Sequence, residues 1–171
     1  MSIVVVLAMH GAPPSDFPPE ELAELMGLHA ALERTSGQAR NTLERRHAEL
    51  EAKVRNWVRS EKNDPFWAGS NALARALQQA TGDEIIVGFN EFCAPSLDQA
   101  LDEAAARGPE AVVVVTPMMT RGGEHSEADI PKAIQRAVRK YPRISFRYAW
   151  PFDPADVARF LAAQLERVQA R

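Results

Sequence analysis

The sequence predicts an α/β protein built on a small doubly wound, mainly parallel sheet of at least four strands. Three observations predict it. Four short β-branched runs, "SIVVVLAM", "DEIIVGFNEF", "AVVVVTPMM" and "RISFRYAW", recur along the 171 residues. Long helical patterns separate them, so strand and helix alternate, as they do in α/β proteins. Runs that are apolar at nearly every position, such as Val112 to Val115, fit strands covered on both faces, the condition of a parallel sheet. In such a sheet the strands point one way, and ligands collect beyond their carboxyl ends.

The first run, Ile3 to Met9, lacks a basic leader and flows straight into His10; it reads as a strand rather than a signal peptide. The stretch that follows is much longer than the dozen or so residues a crossover needs. It reads as a helical insertion at about 18–63. The prolines of "APPSDFPPEE" stiffen its start, and Pro18, Pro19 and Glu20 suit the first turn of a helix. Leu22, Leu25, Met26, Leu28 and Leu32 then make one apolar face. After "RTSGQAR", Leu43, His47, Leu50, Val54 and Trp57 repeat at four- and three-residue spacing, a coiled-coil-like seam. A helical hairpin packed on its own domain is expected, with a dimer contact or a lid over the sheet edge as the sharper alternatives.

Glu91 closes the second strand, where an unpaired carboxylate is costly if buried; it is either exposed or functional. Cys93 reads as a small packed side chain, and Ser96, after Pro95, as a helix-start residue. The third strand runs into a glycine-rich loop bearing His125, and Asp129 before Ile130 and Pro131 reads as an N-cap. His10, Glu91 and His125 therefore belong on one edge of the sheet. Met9, Met118 and Met119 sit at strand ends beside them, where such side chains serve as core filler or as a soft wall for a flat ligand; Trp150 and Phe152 could extend that wall. His29 and His47 lie in helical patterns among charged residues and carry no assigned role.

Composition narrows the class. The chain is expected to form a single domain over 1–171 with a core large enough to need no staples. One cysteine allows no internal disulfide. A net charge of −3 argues against a general nucleic-acid role. No apolar stretch approaches the ~18 residues that span a bilayer, and a cytoplasmic location is expected.

The segments "VVVLAMHGAPP", "IIVGFNEFCAPSLDQALDEAAARG" and "AVVVVTPMMTRGGEHSEADIP" together resemble the sirohydrochlorin chelatase (class II chelatase) family. The shared pattern is a strand followed by HG, a strand followed by E-x-x-x-P-S, and a strand followed by a glycine-rich loop with G-x-H and a downstream D-I-P. The resemblance covers residues 1 to 15 and about 80 to 140. It implies ATP-independent insertion of a divalent metal into sirohydrochlorin or a related tetrapyrrole, in cobalamin or siroheme biosynthesis. Cobalt and iron are the metals implied, nickel next. It also implies that a single lobe works as half of a bilobal chelatase, hence a homodimer. His10, His125 and Glu91 become the metal-holding and catalytic residues; by their position beside these, Met118 and Met119 are expected to face the macrocycle and Arg121 to clamp its carboxylates.

The chemistry is consistent with that set. Insertion requires holding the ion, stripping its water and removing two pyrrole protons. Neutral imidazoles are borderline ligands that suit iron, cobalt, nickel and zinc without the permanence of thiolates. Two histidines leave coordination positions open for transfer, and a carboxylate can take protons or complete the shell. Rival readings lack their residues: there is no G-x-S-x-G elbow for an α/β-hydrolase, no Arg before His10-Gly11 for a histidine phosphatase, and no G-x-x-x-x-G-K-[ST] for nucleotide-driven insertion. The alternative that survives is a non-catalytic metal or tetrapyrrole carrier.

Overall fold

The computed structural model describes residues 2–32 and 34–169. Four strands, β1 (Ile3–Met9), β2 (Glu84–Phe89), β3 (Ala111–Val115) and β4 (Ser145–Tyr148), form one sheet in the order β2-β1-β3-β4. All three pairings are parallel. Each crossover carries helix: α1 (Pro19–Leu32), α2 (Gly37–Arg55) and α3 (Pro65–Thr81) between β1 and β2, α4 (Leu97–Ala106) before β3, and α5 (Ile130–Lys140) before β4. The last described helix, α6 (Pro154–Gln169), follows β4. The expected α/β class and parallel sheet are what the chain adopts.

The two-residue side-chain period of β1 sorts its residues between two layers. Val4, Val6 and Ala8 face one side, where they pack with Val112 and Val114 against Leu101 and Ala104 of α4 and Ile130 and Ala133 of α5. Leu7 and Met9 face the other, against Phe89, Cys93, and Ala74 and Trp67 of α3. The layer at α4 is close: a Cβ on Gly88 would lie 2.7 Å from the Ala100 Cβ, so glycine there lets helix and strand approach.

The insertion is a hairpin, as expected, but α2 begins at Gly37, inside the segment read as a loop. Leu50 and Val54 are fully covered by Leu25, Leu22 and Leu28 of α1, together with Phe17 and Phe92. Leu50 and Val54 of the seam are thus buried within the chain. Ion pairs Arg46–Glu24 and Lys53–Glu21 cross between the helices; being exposed, they add little to stability. The apolar face left uncovered by the described residues lies on α6, where Phe160, Leu161, Leu165 and Val168 are all more than half exposed. No described helix is long and apolar enough to cross a membrane.

Candidate metal centre

Strand register brings the first two site residues together. Met9 pairs with Phe89 at the carboxyl end of β1 and β2, and the ladder continues one step beyond: Asn90 N–H donates to Met9 O (2.9 Å) and Glu91 N–H to His10 O (3.0 Å). His10 and Glu91 are therefore neighbours across the strand ends. Their side chains meet at 2.8 Å, His10 Nδ1 to Glu91 Oε1.

Gly11 is what permits this approach. Its φ is +120°, and a Cβ there would stand 1.8 Å from the backbone oxygen of Glu91 and 2.8 Å from its carbonyl carbon. The obstacle is main chain, which cannot rotate aside. Gly11→Ala is expected to destabilise the fold by at least about 2 kcal/mol and to weaken metal binding by displacing Glu91. Denaturant unfolding and cobalt titration read both effects; a variant within about 0.5 kcal/mol of native, the level of an inert surface change, would show that the loop has room.

His125 arrives from the third strand. It opens a π-helical turn, His125–Asp129, rather than sitting in an irregular loop, and the turn passes directly into α5. Such turns concentrate at functional sites because they re-aim side chains within a continuous helix. This one is pinned from several sides: Ser126 Oγ–H donates to Gly123 O (3.1 Å), Gly122 N–H to Glu127 Oε1 (3.1 Å), and Tyr148 Oη–H to Ser126 O (3.0 Å). Burial pushes the Tyr148 hydroxyl up to about 12, so it stays protonated and keeps donating.

Asp129 departs from the N-cap expectation. Its backbone is helical and its side chain caps nothing; instead its Oδ2 lies 2.8 Å from His125 Nδ1. A carboxylate there accepts a hydrogen bond from Nδ1–H and so leaves the Nε2 lone pair free, the usual way a ligating imidazole is oriented. The acceptors around His10 Nδ1, Glu91 Oε1 and Gly11 O (3.1 Å), assign its proton in the same way. His125 thus presents Nε2 to the centre. His125 Nε2 lies 3.6 Å from the same Glu91 oxygen, and the two rings meet edge to face with centroids 4.5 Å apart.

One ligand atom from each of His10, Glu91 and His125 lies within 4.8 Å of the other two. Among the described residues no other group of three or more histidine, cysteine or acidic side chains meets that condition. Cys93 is fully buried, and desolvation raises its thiol above the ordinary value; it is packing, as the sequence suggested. Ser96 is the N-cap of α4, in a capping box with Gln99.

The centre opens into a cavity of about 500 Å³ that also touches Leu25, Met26 and His29 of α1, His47 and Glu51 of α2, and Phe92. Helices α1 and α2 of the insertion therefore line the cavity beyond the sheet edge. Its apolar wall comes from Leu25, Met26 and Phe92, whereas Met118 packs on the core behind α5. Met119 is half-buried and Arg121 exposed, and neither lines this cavity.

A second polar unit, unmarked in the sequence, braces the centre from below. Arg59 donates to Ala12 O and Val54 O (both 2.9 Å), to Phe92 O and to Asp64. Its side chain and that of Asp64 are 4% and 1% exposed. The pair ties the chain just after His10 to the chain just after Glu91, whose Phe92 holds a positive φ of 56°.

A family model described as CbiX matches residues 65–169. The sirohydrochlorin cobaltochelatase of Priestia megaterium is 41% identical over 70 residues, 41% of this chain and 22% of that protein. The sirohydrochlorin cobaltochelatase of Methanothermobacter thermautotrophicus is 36% identical over 61 residues, 36% of this chain and 42% of that protein. The matched segments thus span less than half the length of either relative. The crystal structure of a CbiX protein of Marinobacter aquaeolei VT8 superposes with a TM-score of 0.55 at 16% identity, covering 99% of both chains, which is a likeness of fold. With the family model spanning residues 65–169, the chain belongs to the CbiX family.

Proposed function

We propose that this protein inserts a divalent metal, cobalt or iron(II), into sirohydrochlorin or a closely related tetrapyrrole without ATP. The observation that carries this reading is the convergence of His10, Glu91 and His125 within 4.8 Å at the carboxyl edge of the sheet, open to a cavity rather than enclosed. Two imidazoles and one carboxylate can hold a borderline ion while leaving positions for the four ring nitrogens. Relatives named as sirohydrochlorin cobaltochelatases support the substrate class.

In this reading His10 and His125 hold the ion as it enters. As ring nitrogens replace its water two pyrrole protons are released; Glu91, already beside both histidines, is placed to receive one, and the imidazole freed as the ion passes to the ring takes the other. Four carboxylates, Glu51, Glu91, Glu124 and Asp129, line the cavity against one cation, Arg55, which pairs with Glu51; the surplus of negative charge favours a cation inside it. The acid side chains of a sirohydrochlorin must then point outward, where Lys132, 3.9 Å from Asp129, supplies positive charge.

The test is a spectrophotometric insertion assay with sirohydrochlorin and a panel of cobalt, iron(II), nickel and zinc. Native protein should exceed the spontaneous rate with cobalt or iron(II), and Glu91→Gln should lower that rate by roughly 10²-fold or more, the usual contribution of a positioned proton acceptor. No acceleration with any metal would replace this reading by that of a carrier.

A further inference from the structure

We propose that His29 and His47 form a second divalent-metal site at the outer end of the same cavity. Its role, as the place where the ion is captured before it reaches His10 and His125, rests on the function proposed above; the site itself does not.

The two residues come from different helices of the insertion. His29 lies in α1 and His47 in α2, and the packing of Leu25 against Leu50 sets those helix faces side by side. The imidazole centroids are 5.7 Å apart with the planes 37° from parallel. Two imidazoles that each bond one ion at about 2.0–2.1 Å bring their ring centres to about 4.5–5.5 Å, depending on the angle at the metal. The inner pair, at 4.5 Å, falls at one end of that range, and the outer pair needs only a small side-chain rotation to enter it.

Glu51 follows His47 by one helical turn, and its Oε2 lies 3.7 Å from His47 Nδ1. At that distance the carboxylate is no hydrogen-bond partner of the ring, but it sets a negative charge beside the outer pair that favours a cation there. Arg55 holds Glu51 (2.9 Å) together with Cys93 O (2.9 Å) and Asn90 O (3.0 Å). The outer pair is thereby fixed relative to the loop that carries Glu91. Among the described residues neither imidazole makes a hydrogen bond that would give it a structural task. His29 is exposed and His47 half-buried, so an ion can arrive from solvent, and the cavity is continuous from His29 to His125. Unsupported imidazoles favour cobalt, nickel, zinc and iron(II) over magnesium or calcium.

The experiment titrates the full chain with cobalt(II) alone, without tetrapyrrole, and counts bound ions by equilibrium dialysis while the visible cobalt spectrum reports coordination. Native protein should bind two ions. The His29→Ala, His47→Ala variant should bind one, and so should His10→Ala, His125→Ala. His29→Ala alone alters an exposed side chain and should weaken the outer site by more than about tenfold. A single ion on native protein, or two ions still bound after both outer histidines are replaced, overturns the proposal. Failure of the insertion assay would leave this count unaffected, so the two readings fall separately.

Discussion

Replacing His10 and His125 together by Ala is expected to reduce metal insertion to its spontaneous rate and to remove the inner metal site. One ligand atom of each lies within 4.8 Å of the other and of Glu91, and the rings are held by Nδ1 contacts of 2.8 Å to Glu91 and to Asp129. Loss of an orienting partner alone costs about 10- to 100-fold in metal affinity, so loss of both donors should exceed about 100-fold, while Asp129→Asn should fall within that lower range. The His29→Ala, His47→Ala background isolates the inner site, and cobalt binding in it gives the affinity directly. Imidazole and carboxylate must be unprotonated to bind, so affinity should fall as the solution is acidified. Stability should change little, since the side chains of His10 and His125 are 49% and 23% exposed and neither belongs to the core. Unchanged cobalt affinity in the double variant would remove both residues from the ligand set.

Much of this site was legible because it hangs on strand ends. Runs such as Val112 to Val115 have few alternatives to a buried strand, and once their direction is common, the residues just after them must share an edge. His10 and Glu91 needed only that reasoning. Asp129 was misread because Asp before Ile-Pro is a strong helix-start pattern, and nothing in the sequence announces that a π-helical turn will spend the carboxylate on His125 instead. The hairpin was visible from its heptad-like leucines, but periodicity identifies an apolar face and not what that face covers. Its position beyond the sheet edge, and with it the place of His29, His47, Leu25 and Met26 in the cavity, came only with the packing. Met118 illustrates the converse: its position beside the loop suggested a ligand wall, and the core behind α5 claimed it. Arg59 and Asp64 were invisible for another reason. "RSEKNDPF" reads as a solvated polar loop, since charged residues are almost never fully buried unless paired, and the pairing spans a loop whose course the sequence does not reveal.

That buried pair carries the largest expected stability effect. Asp64 serves three partners: its Oδ2 receives Arg59, its Oδ1 accepts from Trp67 N (2.8 Å) at the N-cap of α3, and the Cys93 thiol lies 3.6 Å from Oδ2. Asp64→Ala would leave the Arg59 guanidinium buried without its counter-charge and would uncap α3. Breaking a buried pair from one side costs about 3–5 kcal/mol, and loss of an N-cap about 1 kcal/mol more. A domain of this size has roughly 5–15 kcal/mol in total, so the variant should unfold at far lower denaturant. Arg59→Met, Asp64→Leu, with both charges gone, should recover part of that loss because no lone charge remains. Recovery should be incomplete, since Ala12 O, Val54 O and Phe92 O lose their donor. Two of those carbonyls flank His10 and Glu91, so the double variant should still bind cobalt more weakly than native protein even where it is fully folded. Equilibrium unfolding of the three proteins, followed by cobalt titration of the folded fractions, separates the two effects. A loss below about 1 kcal/mol for Asp64→Ala, the worth of an exposed pair, would mean that the guanidinium finds water when its partner is removed, and that the brace beneath the metal centre is held by carbonyls alone.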